Sequence, residues 1–299
     1  MKNHLRNLRW PLVLLCLMAI VVYACQKDNS TQPGIGPNQQ KLSIHLSDDP
    51  GFFDNVFLDI RKVEVLVDTC TSDPNDDDDR NWDWRDRCWW DEDRHDDKDN
   101  CQVWNSLGVA PGVYDVLSLR NGADTLLAGG IVPKGKVKKI RITLGNNNAL
   151  VKDSVRYPLK SANGQVKIIV KLRGDDWDEV TTGDFHLWLD FDINRSIIKV
   201  RNGQFILRPF IVVFTLKTTG SLSGQVTPAA AWPVVTVANG TDTAYALPWF
   251  NGQFKVRGLK AGKYNVFINA SNGYQDKTVN DITVERNKNT DVGRIVLVK

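Results

Sequence analysis

Asp190 and Asp192 stand two residues apart, with Arg195 just beyond them. Paired carboxylates can hydrolyse glycosides, one protonating the leaving oxygen while the other attacks or activates water. On a strand the same spacing puts two acids on one outward face with an arginine as ion-pair partner, which is the commoner use. No other catalytic pattern accompanies them. After the leader the sequence has three histidines, His45, His95 and His186, and Gly220-Ser221-Leu222-Ser223-Gly224 has leucine where a nucleophile elbow needs serine. No glycine-rich loop could cradle a phosphate. The expectation is a protein that is not an enzyme. The alternative is a hydrolase acting on envelope polysaccharide through Asp190 and Asp192.

A second concentration of chemistry lies between Cys70 and Cys101. Residues 71–100 hold 13 acidic side chains against five Lys and Arg, together with Trp82, Trp84, Trp89 and Trp90. Solvated acidic tails seldom contain residues so apolar. The tryptophans can form a small cap on the core, or a platform that stacks on sugar rings or on another protein, with neighbouring Asp side chains accepting hydroxyl hydrogen bonds. Asp73, Asn75, Asp77 and Asp79 alternate as oxygen ligands do at the start of a calcium loop. Asp78 then stands where the turn glycine belongs and Trp84 where the bidentate glutamate belongs, so the expectation is no cofactor beyond weak, irregular Ca2+ binding. Zinc on Cys70, Cys88, His95 and Cys101 would need thiolates, which an oxidising compartment removes.

The elements that must carry these residues are strands. Phe185, Leu187, Leu189, Phe191 and Ile193 alternate with His186, Trp188, Asp190 and Asp192, the period of a strand with one buried face. Val166, Ile168, Val170 and Leu172, and Ile140, Ile142 and Leu144, repeat the pattern. In Leu58–Val67 the apolar parity switches between Ile60 and Val63, which requires a β-bulge near Arg61 and Lys62. From Phe205 to Phe214 both parities are apolar, predicting one strand covered on both sides, partly by a second domain. No stretch after the leader has a helical period. Cys70 ends one strand and Cys101 begins the next, so a hairpin would set them opposite each other at the base of the acidic segment and a disulfide Cys70–Cys101 is expected. Cys88 is then the odd thiol; Cys88–Cys101 is the rival pairing.

At the N-terminus Lys2, Arg6 and Arg9 precede an apolar run from Trp10 to Ala24, the layout of a secretory signal. The run is short for a spanning helix, which needs about 20 apolar residues. Val22-Tyr23-Ala24-Cys25 resembles the lipobox of bacterial lipoproteins, which implies cleavage before Cys25 and lipid on its thiol. Residues 25–40 are polar, with Gly and Pro, and read as a flexible tether. Lys27-Asp28 resembles sorting signals for surface export, implying the cell envelope and the outer membrane. The formal charge of +3 equals what Lys2, Arg6 and Arg9 supply, so the processed chain is near neutral and a nucleic-acid partner is excluded. At 42% hydrophobic and 24% charged residues the composition is that of an ordinary globular protein.

Two family resemblances follow from these segments. Leu46-Ser47-Asp48-Asp49-Pro50-Gly51, Asp59–Val65, Tyr114–Gly122, Ile140–Gly145, Tyr157–Lys160 and Leu189–Ile197 resemble, in order, the envelope-protein family of domain of unknown function 4382. That family has no established activity, and the acidic insertion at 70–101 departs from its pattern. Gly252-Gln253-Phe254-Lys255-Val256-Arg257-Gly258-Leu259-Lys260-Ala261-Gly262-Lys263-Tyr264-Asn265-Val266 resembles the carboxypeptidase regulatory-like domain, a transthyretin-type or starch-binding-like sandwich. Such domains serve as rigid spacers or docking modules. Here Phe254 and Val256 point inward, Gly258 and Gly262 permit a tight turn, and Tyr264 and Val266 lead the return strand. The expected organisation is all-β: signal peptide 1–24, lipidated Cys25 and linker to 40, a β-sandwich at 41–217, and a second at 218–299. The expected partners are the membrane, through the lipid, and a glycan or another envelope protein.

The lipid on Cys25 is directly measurable. Metabolic labelling with a fatty-acid analogue is expected to mark the wild-type chain and not Cys25→Ala; equal labelling of the two would exclude Cys25 as the attachment point.

Overall fold

The computed structural model describes residues 35–49, 51–69, 88–90, 101–161, 164, 167–172, 184–240 and 242–299. Within these the chain is all-β, as its alternation predicts, and residues 37–299 form one compact unit. It contains two separate hydrophobic cores. Among the described residues no helix is long and apolar enough to cross a membrane.

The first core is built by β1 (Gln39–Asp49), β2 (Asn55–Asp68), β3 (Cys88–Trp90), β4 (Gln102–Ser106), β5 (Gly108–Val109), β6 (Gly112–Asp115), β7 (Thr125–Pro133) and β8 (Lys136–Leu144). Continuing it are β9 (Ala149–Lys152), β10 (Val155–Ser161), β11 (Lys167–Lys171), β12 (Asp184–Asp192), β13 (Ile197–Lys199), β14 (Phe205–Leu207) and β15 (Ile211–Phe214). One sheet runs β15-β12-β1-β7-β5; the other runs β13-β14-β10-β9-β2-β8-β11-β3, with β4 and β6 also pairing with β2. Leu42, Ile44 and Leu46 of β1 and Leu187, Leu189 and Phe191 of β12 meet the apolar residues of β2, β8 and β11 between the sheets. Every one of those six is nearly inaccessible, which is why the register of β1 on β12 is fixed: a slip by one residue would turn the whole set outward.

The bulge expected near Arg61 and Lys62 is present, because the β2–β8 register shifts between Ile60 and Lys62. Its chemistry is centred on Asp59, whose fully buried carboxylate lies 2.6 Å from Arg61 Nε and accepts the Asn147 N–H at 3.0 Å. Gly145 closes over it: a Cβ there would stand 2.2 Å from Asp59 Oδ2. β2 shifts register again between Leu66 and Val67, a second bulge that its apolar pattern does not announce.

The stretch from Phe205 to Phe214 departs from expectation. It is two short strands in different sheets, β14 and β15, joined by a corner that Ser196 pins by accepting the Phe210 N–H at 2.8 Å. Both halves bury their odd-numbered residues, Phe205 and Leu207, then Ile211 and Val213, in the first core, while of the even-numbered ones Phe214 is buried against Trp188 and Gly258 and Phe210 lies under Arg195.

The second core is built by β16 (Gly220–Thr227), β17 (Val234–Ala238), β18 (Thr243–Ala246), β19 (Gln253–Leu259), β20 (Gly262–Asn269), β21 (Lys277–Val284) and β22 (Asn289–Val296), in sheets β19-β16-β22 and β18-β17-β20-β21. Phe254 and Val256 point inward, but β20 does not pair back on β19 as a hairpin would. The chain crosses there to the other sheet, which lets Leu259 and Tyr264 enter the core together, with the Tyr264 hydroxyl donating to Lys260 O at 3.0 Å.

Replacing the bulge acid tests its structural role. Asp59→Ala is expected to lower unfolding stability by about 2–4 kcal/mol, since it strands the Asn147 amide and removes the anion that Arg61 pairs with. Chemical denaturation measures it, and a change under about 0.5 kcal/mol would show that the bulge holds without its acid.

Candidate functional site

The outer face of the five-stranded sheet carries the polar alternates of β1 and β12. Because those strands pair in parallel with His45 opposite Trp188 and Ser43 opposite His186, residues about 140 apart in the chain become neighbours. His45 Nε2 and His186 Nδ1 share a hydrogen bond at 3.1 Å, and His45 stacks on Trp188 with ring centroids 4.6 Å apart. Trp188 in turn stacks on Phe214 of β15 at 6.2 Å. The alternation placed Trp188 on a polar, outward face, yet it is only 8% exposed. His45, Phe214 and the Asp124 carboxylate cover it.

Asp124, in the turn before β7, is the centre of that cover. Its carboxylate accepts from Trp188 Nε1 at 3.1 Å and from the Arg257 guanidinium of β19, and its other oxygen lies 3.5 Å from His45 Nδ1. Burial pushes the Asp124 carboxyl upward, but the hydrogen bonds from Arg257 and Trp188, with the charges of Arg257 and His45, outweigh it and leave the group below the usual carboxylate range. His45 moves down: burial disfavours its charged form, His186 and Arg257 add to that, and Asp124 opposes without prevailing. Around this acid the seam is closed by Asn121 Nδ2 donating to Leu247 O at 2.7 Å and by Arg120 lying 4.6 Å over the Trp249 ring. Gly258, at φ +73°, leaves the space Phe214 fills; a Cβ there would come within 3.0 Å of the ring.

The two acids singled out from sequence are separated in role. Asp192 accepts the Arg195 N–H at 3.0 Å, capping the helical turn Ile193–Ser196, and ion-pairs with the Arg195 side chain at 3.3 Å. Asp190 lies under the second sandwich. The residue is half-buried, facing a cavity of about 20 Å3 lined also by Ser47, Phe214 and Tyr245, and its carboxyl accepts from Ser47 Oγ at 3.3 Å. Burial raises its pKa to about 7, with the charge of Asp192 adding and Ser47 opposing. A carboxyl protonated near neutrality is what a general acid needs. The cavity beside it, however, has room for one water molecule and not for a sugar ring.

The remaining expectations fall elsewhere. Cys25, Cys70, Asp73, Asn75, Asp77, Asp79, Trp82 and Trp84 lie outside the described residues, and so does the Cys70–Cys101 pairing. Trp89 and Trp90 belong to β3, whose backbone pairs with the edge of β11; their side chains are outside the description. Cys101 is disulfide-bonded. β2 and β4 form the expected hairpin, with Asp68 opposite Gln102, and the Thr69 N–H reaches Cys101 O at 3.0 Å, so the 70–100 segment leaves and re-enters at one strand pair. Among the described residues no group of three or more His, Cys, Asp or Glu is arranged to hold a metal.

A family model described as Domain of unknown function (DUF4382) matches residues 39–209. No curated protein matches the sequence. Among solved structures, a cohesin–X-dockerin complex from Acetivibrio cellulolyticus aligns at 22% identity over 26% of this chain and 56% of that one, with a TM-score of 0.22. The chain thus spans a little over half of that structure's length. The minor pilin GBS52 of Streptococcus agalactiae aligns at 12% identity over 87% of this chain and 97% of that one, with a TM-score of 0.21. A point mutant of the shaft pilin spaA of Lactobacillus rhamnosus GG aligns at 9% identity over the same shares, with a TM-score of 0.22.

The raised Asp190 pKa has a signed consequence. In the unfolded chain the group ionises near pH 4, whereas in the fold it stays protonated to about pH 7. It therefore costs nothing below pH 4, destabilises increasingly between pH 4 and 7, and by a constant amount above. Asp190→Asn is expected to be more stable than wild type by on the order of 3 kcal/mol at pH 7.5 and by little at pH 4. Urea unfolding at both values checks it; an advantage independent of pH would overturn the assignment.

Proposed function

We propose, from the premise that this chain belongs to the DUF4382 family, that it is a non-enzymatic binding and structural protein of the cell envelope. One observation carries the reading: the side chains best suited to chemistry are engaged in holding the two sandwiches together. Asp124 and His45 sit in the seam, Asp192 caps a turn, and the cavity at Asp190 admits one water. A hydrolase would need room for a glycosyl unit between its two acids. In this proposal residues 41–217 and 218–299 are the two domains, held to a membrane by lipid on Cys25, with the outer membrane as the site. The contact surface is the acidic segment at 70–101. Trp82, Trp84, Trp89 and Trp90 there offer indole faces to a glycan or another envelope protein, and Asp73, Asn75, Asp77 and Asp79 take Ca2+ weakly. The hairpin base supports treating that segment as separable, because β2 and β4 pair directly below it.

The test replaces residues 71–100 with a short Gly-Asn linker. The variant is expected to keep a cooperative melt while losing retention on a glycan array and of envelope proteins in pull-down, and neither protein should release reducing sugar from envelope polysaccharide. Hydrolysis by wild type and not by Asp190→Asn would establish the enzyme reading instead.

A further inference from the structure

The outer face of the three-stranded sheet β19-β16-β22 is not a plain solvated surface. The loop at Arg120–Asn121 from the first sandwich rises beside it, and Trp249 stands between, so the face becomes one side of a groove of about 470 Å3. That volume lies in the range of small-molecule sites. Alternation explains its lining: Leu222, Val226, Phe254 and Val256 turn into the second core, which leaves Ser223, Gln225, Gln253 and Lys255 facing the groove.

Its chemistry has three components. Carboxamides come from Asn121, Gln225 and Gln253; Gln225 Nε2 donates to Asn251 O at 2.9 Å and Gln253 Oε1 accepts from Asn251 Nδ2 at 2.9 Å, which leaves the Gln225 oxygen and the Gln253 amide nitrogen to meet sugar hydroxyls. Asn121 Oδ1 is buried without a hydrogen-bond partner, although its Nδ2 is satisfied by Leu247 O. A buried acceptor without a donor is costly. Aromatic surface comes from the half-buried Trp249, suited to the C–H face of a pyranose ring. Charge is contributed by Lys255 and Arg294, against which the lining holds one acid, Asp291, already accepting the Gly293 N–H at 2.9 Å. Lys255 is pressed over Gly122; burial lowers its pKa, the charge of Arg257 adds to that, and no carboxylate opposes. Arg120, stacked on Trp249, adds a further positive charge, and its Nε is buried without a partner among the described residues.

We propose that this groove is a binding site for an acidic saccharide, a uronate-bearing oligosaccharide whose carboxylate lies between Lys255 and Arg294, whose hydroxyls meet Asn121, Gln225 and Gln253, and whose ring rests on Trp249. The site goes beyond the function proposed above, since it uses no residue of the 70–101 segment.

Isothermal titration of the full chain in detergent with trigalacturonate tests the proposal, alongside neutral galactotriose, sodium sulfate and a tetraglutamate peptide. Saturable one-site binding of trigalacturonate is expected, weakened at least tenfold by Lys255→Met, which keeps the stem that packs on Gly122, and by Arg294→Gln, and reduced by raised salt. Thermal melts matching wild type verify that both variants fold. The variant with residues 71–100 replaced is expected to bind trigalacturonate unchanged, which separates this site from the segment above. Four results would overturn the proposal: no binding, equal affinity for galactotriose, equal affinity for sulfate, or tighter binding of the peptide.

Discussion

One carboxylate ties the two cores together. Asp124 accepts from an indole of the first sandwich and a guanidinium of the second, and it does so half-buried, where each charge-assisted hydrogen bond contributes about 1.5–3 kcal/mol. Its constraint is stereochemical as well as energetic. For Arg257 to reach it, β19 must lie over the turn at Gly122, which brings Gly258 down on Phe214 and Val256 and Arg257 to the cavity beside Asp190. The Asp190 cavity and the groove beside Trp249 are both products of that approach. Neither sandwich would have them alone.

The division of labour among the polar side chains follows from the same contact. A sheet face that alternation marks as polar can lie in water, where its charges are screened, or beneath another layer, where each must find a partner. His45 and His186 pair with each other, with Asp124 and Asp184 at their outer nitrogens, and Asp192 takes Arg195. Among the described residues Asp190 has only the Ser47 hydroxyl, and it responds as an acid without a counter-charge must, by holding its proton.

What local pattern can specify was legible. The strand period in β8, β11 and β12, the inward sets and the bulge at Ile60–Lys62 all depend on residues within a few positions of one another. So does the hairpin below Cys101. What required the partner strand was not. The apolar run from Phe205 to Phe214 has the composition of a strand covered on both sides, and only the corner at Ser196 shows that two sheets share it. The approach of β19 to the turn before β7 joins residues more than 130 apart, and nothing near Asp124 or Arg257 in the chain marks either as half of a pair. His45 and His186 were visible as residues, but their contact depends on a parallel register that periodicity cannot supply. The oxygen-rich and tryptophan-rich stretch at 70–101 drew notice by composition, whereas the groove of β19-β16-β22 is made of ordinary amides and charges that mean nothing until three strands and a loop converge.

The placement of β1 bears on how the chain reaches this state. The first strand lies inside its sheet, flanked by β7 and, in parallel, by β12, whose partner residues come some 140 positions later. A growing or translocating chain can form β1 against β7 early, but the other edge of β1 must wait, with its amides and carbonyls unmatched, until residue 184 and beyond have emerged. High contact order of this kind slows folding and leaves a strand edge open to other chains in the interval. A chain with this topology has reason to stay extended, or to be escorted by a chaperone, until residues 184–192 have been delivered.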